Sequence, residues 1–211
     1  MIRGLYPILD TAACRRAGVD PVALARAVAE ARPDVAQFRH KGPYTREIFA
    51  QAERVAGLLR AAGVRLVIND RADVARMLGA DGVHLGQHDL EPARARAVVG
   101  SSVWVGYSTH HAGQLRAGDQ EPVDYLAIGP VFATGSKHNP DPVLGVEALR
   151  ELRRLTTKPL VAIGGITRAN ALAVLQTGVD AVAVISDLLA EDLDGRLQEW
   201  LRLTRRHNAR D

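Results

Sequence analysis

The chain has 211 residues, 47% of them hydrophobic and 24% charged, with 19 Gly, 10 Pro and one Cys. These are the proportions of a folded globular protein, and they exclude intrinsic disorder, a collagen-like repeat and a disulfide-stapled scaffold. Lys and Arg number 27 against 24 Asp and Glu, a formal charge of +3; Arg202, Arg205, Arg206 and Arg210 against Asp211 account for it, leaving the remainder neutral.

Three Phe, two Trp and four Tyr are scattered, none inside a basic cluster, so composition argues against a nucleic-acid partner. The lone Cys14 can form no intramolecular disulfide, and the opening run is interrupted too early to serve as a signal-peptide core; a cytoplasmic location is expected. Apolar stretches such as 160–163 and 182–185 fall far short of the ~18 residues that cross a bilayer, so no membrane association is expected.

In chain order, short apolar or β-branched runs predict strands over 5–9, 35–38, 65–68, 82–85, 103–107, 125–128, 160–163 and 181–185. Between them, segments rich in Ala, Leu, Arg and Glu, with apolar positions three and four apart, predict helices over 21–31, 45–62, 91–98, 146–155, 167–177 and 189–203. Shorter helices are expected near 72–78 and 111–117. Thr167 is placed to cap its helix, and Gly63 and Gly178 to end theirs.

Alternation of this kind builds a parallel sheet covered by helices, and no linker or charge block interrupts it. The expectation is α/β, a single (β/α)8 TIM barrel over 1–211. The alternative, an open doubly wound sheet, lacks its Gly-x-Gly-x-x-Gly turn after the first strand, where Asp10-Thr-Ala-Ala-Cys14 stands instead.

In such a barrel the chemistry belongs to residues at the C-terminal ends of strands. Arg39 and Lys41 follow the second strand, Asp70 the third and Asp89 the fourth. Two carboxylates suit Mg2+, which is held by one or two of them plus substrate phosphate oxygens, while Arg and Lys take up the remaining phosphate charge. The plain alternative is that Asp70 pairs with Arg71 or Arg39 and that Asp89 caps the helix near Pro92.

Across the mouth, Gly164-Gly165 before Thr167, with Ser186 after the eighth strand, points to a phosphate corner; a tight turn alone is the bland reading. The loop after the sixth strand carries Thr134, Ser136 and Lys137 among glycines and reads as a lid. On a loop, Lys137 suits a phosphate contact better than a Schiff base. His84 and His88 stand four apart but flank Gly86 at a strand-to-loop junction, without the helical geometry of a zinc pair. Ser108 and His110 lack a nucleophile elbow and a carboxylate behind the His, so Ser108 reads as a hydrogen-bonding group rather than a triad serine.

Taken together, Gln37-Phe-Arg39-x-Lys41, Asn69-Asp70-Arg71, His84-x-Gly86-Gln87-x-Asp89, Gly106-x-Ser108-x-His110, Gly129-Pro-Val-Phe-x-Thr134-x-Ser136-Lys137 and Ile163-Gly-Gly165-Ile closely resemble the thiamine phosphate synthase family. The resemblance implies a (β/α)8 barrel that joins 4-amino-5-hydroxymethyl-2-methylpyrimidine diphosphate to 4-methyl-5-(2-phosphooxyethyl)thiazole, giving thiamine monophosphate and diphosphate. It implies Mg2+ on Asp70 and Asp89, diphosphate on Arg39, Lys41, Asn69 and Lys137, and the pyrimidine on Gln37 and Ser108. The thiazole phosphate would meet Thr134, Ser136, Gly165 and Ser186, with Ile185 a further substrate-binding residue. Of these, Ser108, Lys137, Arg39 and Lys41 are the expected catalytic groups. His40 departs from the acidic or amide residue common there and is expected to point away from its neighbours. The rival readings are the related thiazole tautomerase, which typically lacks the Gly-Gln-x-Asp element, and a non-catalytic phosphate sensor. The expected partners are small-molecule substrates, with a homo-oligomer possible.

Overall fold

The strand segments carry apolar side chains at consecutive positions, so both of their faces must be covered, and a sheet closed on itself inside a ring of helices covers both. A computed structural model describes residues 2–135 and 141–208. Its strands are β1 (Gly4–Asp10), β2 (Val35–Arg39), β3 (Arg65–Asn69), β4 (Gly82–Leu85), β5 (Trp104–Thr109), β6 (Tyr125–Ile128), β7 (Leu160–Ala162) and β8 (Ala181–Val184). All pair in parallel and in sequence order, and β8 returns to β1, so the sheet is a closed barrel.

Among the described residues the helices are α1 (Thr11–Arg16), α2 (Pro21–Ala31), α3 (Arg46–Ala61), α4 (Ala72–Leu78), α5 (Pro92–Val99), α6 (Ala112–Asp119), α7 (Gly145–Arg153), α8 (Ala171–Leu175) and α9 (Leu193–Asn208). None is long and apolar enough to cross a membrane. Helix boundaries follow local chemistry: Asp20 and Thr45 accept from Val22 N and Ile48 N at the starts of α2 and α3, and Gly63 and Gly178 follow α3 and α8 with positive φ.

Three expectations are corrected. The strand-to-helix count omits α1, a short helix whose N-terminus Asp10 caps by accepting from Ala13 N. Thr167 does not cap α8, which starts four residues later; instead Asn170 Oδ1 takes the Thr167 N–H and closes a turn over 167–170. The last helix starts at Leu193, because Ser186–Leu188 form a 3-10 turn first.

Strand alternation splits the core in two. Leu5, Leu9, Phe38, Ile68, Val83, Leu85, Val105 and Val182 point outward into the layer between barrel and helices. Tyr6, Val35, Val67, Tyr125, Ala127, Val161, Ala181 and Ala183 fill the inside. Register carries this inward line around the barrel through Ile8 beside Gln37, Asn69 beside His84, His84 beside Gly106, and Ser108 beside Ala127. The barrel is therefore plugged with apolar groups below, while its polar inward positions lie at the mouth.

Candidate active site

Inward alternation at the strand ends delivers Gln37 and Arg39 from β2, Asn69 from β3, His84 from β4 and Ser108 from β5 to one cavity of about 330 Å3. The opposite wall is Thr134, Gly164, Gly165, Ile185 and Ser186. Of the residues singled out in the sequence, Gln37, Arg39, Asn69, Ser108, Thr134, Gly165, Ile185 and Ser186 thus line a single space. Lys41, Asp70 and Asp89 do not line it but adjoin its β2 to β4 side, while Ser136 and Lys137 lie outside the described residues.

Asp70 is turned toward this side by its backbone: it follows β3 in the left-handed region at φ 64, a conformation that Asp and Asn tolerate better than most residues. Its carboxylate accepts from Lys41 Nζ at 2.6 Å and hydrogen-bonds to Asp89. Asp89 in turn accepts the Gly86 N–H at 2.7 Å, and a Cβ on Gly86 would stand 3.1 Å from that same carboxylate oxygen. The Gly-Gln-x-Asp spacing therefore folds Asp89 back onto the loop, and it does not cap α5. Arg71 pairs with Asp73, so neither of the pairings set against the metal reading is found.

Two carboxylates in contact cannot both ionise cheaply. Burial, then the neighbouring Asp89, push Asp70 up to about 6 against the pull of Lys41. Asp89 is held low: burial works against it, but the hydrogen bonds from Asp70 and Gly86 outweigh burial. The pair thus shares one proton below about pH 6.

This donor set fits a hard divalent cation. Among the described residues no group of three or more His, Cys, Asp or Glu side chains gathers, so an ion on the two carboxylates keeps positions for water and substrate oxygens, as Mg2+ does. Loading requires the shared proton to leave. Mg2+ affinity is expected to fall about tenfold per pH unit below pH ~6 and to level off above ~7. Calorimetric titration from pH 5 to 8 checks this, and equal affinities at pH 5 and 7 would contradict the shared proton. The metal-free fold responds in the opposite sense: a carboxyl raised in the folded state favours folding at low pH, and that gain is lost as pH rises through about 6.

Arg39 pairs with Asp10, the last residue of β1, and not with Asp70 or Asp89. Beside it, Asn69 is buried and its Nδ2 has no partner among the described residues. An unmet buried donor next to a guanidinium is a place for an anion. His40 lies past the end of β2, bonded through Nδ1 to Thr11 Oγ1 and edge-on to Tyr44.

Ser108 is held by a buried chain of hydrogen bonds. Gln37 Nε2 donates to Tyr6 Oη at 3.1 Å; the Tyr6 and Tyr125 hydroxyls meet at 2.9 Å; Tyr125 meets His84 Nδ1 at 2.9 Å, and His84 Nε2 meets Ser108 Oγ at 2.8 Å. Burial raises Tyr6 to about 12 and pushes Tyr125 well up too, so both stay neutral. Gln87 Nε2 fixes the Ser108 carbonyl at 2.6 Å.

The far wall is shaped by close packing. Gly165 has φ 65, and a Cβ there would lie 2.5 Å from the Ala133 carbonyl oxygen. Only Gly lets this turn lie against the loop after β6. The Gly165 N–H donates to no carbonyl of a described residue. With α8 beginning at Ala171, the corner consists of loop backbone and Ser186 rather than of a helix start.

The sequence marks no role for Asp10, Tyr6 or Tyr125, and shows Gln87 only within the Gly-Gln-x-Asp spacing; Asp10 is the strand-end residue of β1 and so obeys the same positional rule as Arg39.

Barrel, cavity and strand-end residues together define a (β/α)8-barrel enzyme. A sequence model of the family described as thiamine monophosphate synthase matches residues 5–188, and the chain belongs to that family. It is 52% identical over 167 residues to a thiamine-phosphate synthase of Koribacter versatilis, covering 79% of this chain and 78% of that one. It is 38% identical over 188 residues to that of Chloroflexus aurantiacus, covering 89% and 86%. A solved thiamine phosphate pyrophosphorylase from Pyrococcus furiosus superimposes with a TM-score of 0.86 at 33% identity, over 97% of this chain and 96% of that one.

Proposed function

We propose that this chain joins 4-amino-5-hydroxymethyl-2-methylpyrimidine diphosphate to 4-methyl-5-(2-phosphooxyethyl)thiazole, releasing diphosphate and forming thiamine monophosphate. The observation that carries this reading is one cavity with two unlike rims: Arg39 and the unpaired Asn69 donor beside a carboxylate pair, and Gly165 with Ser186 opposite. Family membership supports the same substrates.

Asp70 and Asp89 would hold Mg2+, which when bound neutralises charge on the departing diphosphate. Arg39, Lys41, Asn69 and Lys137 grip the same group. The three cationic side chains and the Asn69 donor stabilise the transition state more than the ground state, because charge on the bridging oxygen grows as the C–O bond breaks. Gln37 Nε2 is committed to Tyr6, which leaves Oε1 to accept from the pyrimidine 4-amino group. That amino group delocalises the positive charge left on the exocyclic methylene, and Ser108 steadies the ring. Thr134, Ser136, Gly165, Ile185 and Ser186 hold the thiazole by its phosphate, so its ring nitrogen attacks within a preformed pair and the C–N bond closes. No protein nucleophile takes part. The buried free thiol of Cys14, raised to about 12 by burial, is consistent with a reducing cytoplasm.

Diphosphate release measured with each substrate alone, with both, and with and without Mg2+ tests the reading. Release is expected only with all three. Metal-free isomerisation of a non-aromatic thiazole phosphate tautomer, with no diphosphate released, would indicate the tautomerase, and tight binding without product a sensor. Ser186→Ala is expected to raise KM for the thiazole phosphate about tenfold and to leave KM for the pyrimidine diphosphate unchanged, since one contact to one phosphate is lost. Equal changes in both constants would refute the corner assignment.

A further inference from the structure

The corner assigned to the thiazole phosphate contains a carboxylate. Asp187 follows Ser186 and lines the cavity with Gly165, Ile166 and Thr167. An anionic side chain beside a bound phosphate weakens binding unless its charge is cancelled. The cancellation comes from outside the cavity. Asp187 Oδ2 accepts from Arg168 twice, from the backbone N at 3.3 Å and from Nε at 3.0 Å. Arg196 Nη1 donates to the Asp187 carbonyl at 2.7 Å and stands 3.8 Å from its Oδ1. Glu199 on α9 pairs with Arg168 and lies 3.8 Å from Arg196 Nε.

The network has a geometric consequence as well. Gly165 and Ser186 come from loops after different strands, and Arg168 ties the β7 loop to the 3-10 turn after β8 and to α9. Arg168 itself does not line the cavity but meets it through Asp187.

We propose that Arg168 is a positioning residue for the thiazole phosphate: it neutralises Asp187 and fixes the two halves of the phosphate corner relative to one another. This rests on the synthase reading of the cavity. The side chain sets affinity for the phosphate monoester and leaves the pyrimidine side untouched.

Steady-state kinetics on the full chain test it with Arg168→Met, Arg168→Lys and the double variant Arg168→Met with Asp187→Asn, alongside thermal melting. Arg168→Met is expected to raise KM for the thiazole phosphate about tenfold, with kcat and KM for the pyrimidine diphosphate within about twofold. Arg168→Lys keeps the charge and recovers part of the loss. The double variant removes the carboxylate that has lost its Arg168 partner and recovers most of it, which a purely structural role would not produce. Equal changes in both KM values, or no rescue by Asp187→Asn, overturn the proposal. Calorimetry with the thiazole phosphate alone separates the two claims: a wild-type chain that binds it but does not turn over, with the same loss in Arg168→Met, sinks the synthase reading and leaves the clamp standing.

Discussion

Asp89→Ala is expected to lower Mg2+-dependent turnover at least ~100-fold, the scale of losing a group that stabilises transition-state charge. Asp89 is held by the Gly86 N–H and faces Asp70 directly, so its removal leaves a lone carboxylate beside Lys41 where an ion would have two. A single carboxylate partnered by a cation is a poor site for Mg2+. Asp70→Asn serves as the companion variant. Asn tolerates the left-handed backbone at residue 70, and the change removes the like-charge contact, so the metal-free fold keeps its melting temperature while turnover falls equally. Stopped assays of diphosphate release at saturating Mg2+ check both variants. Wild-type rates in either would remove the carboxylate pair from the reaction.

Gly106→Ala is expected to have the largest effect on stability. A Cβ at residue 106 would lie 2.1 Å from Tyr125 Cζ and 2.4 Å from its hydroxyl oxygen, inside a ring that is fully buried. Overpacking of this kind costs about 1–3 kcal/mol, and shifting the Tyr125 hydroxyl adds about 1–3 kcal/mol for buried partners left unmet. In a chain of this length that lowers Tm by about 10 °C. Turnover falls with it, because Tyr125 orients His84 and His84 holds Ser108. Thermal melting of the variant checks the first effect. An unchanged Tm would mean that the ring has room to move.

Strand identity and barrel closure were legible because parallel strands covered on both faces announce themselves as short apolar runs, and eight of them alternate with helices here. The candidate site was legible to the extent that strand-end position and charge type mark it, hence Arg39 and Ser186 on the cavity and Asp70 and Asp89 beside it. Four things escaped. The partner of Arg39 depends on β1 and β2 ending side by side at Asp10 and Arg39, a register that the chain spells out only once it pairs. The bond chain from Gln37 to Ser108 links five strands through tyrosines that read, one at a time, as ordinary core. The start of α8 was misplaced because the Asn170 side chain competes for the Thr167 N–H and delays the helix, a local contest that helix periodicity does not register. Charge balance in the corner escaped for the same reason as Arg39, since Asp187 and Arg168 meet only across β7 and β8.

The central claim is that two anions are gripped on opposite rims of one cavity. A crystal structure of the protein soaked with Mg2+, diphosphate and thiamine monophosphate measures it directly. The account predicts diphosphate density against Arg39 and Asn69, with an ion between it and the Asp70 and Asp89 carboxylates, and phosphate monoester density against Gly165 and Ser186. Both anions on the same rim, or an ion away from Asp70 and Asp89, would contradict it.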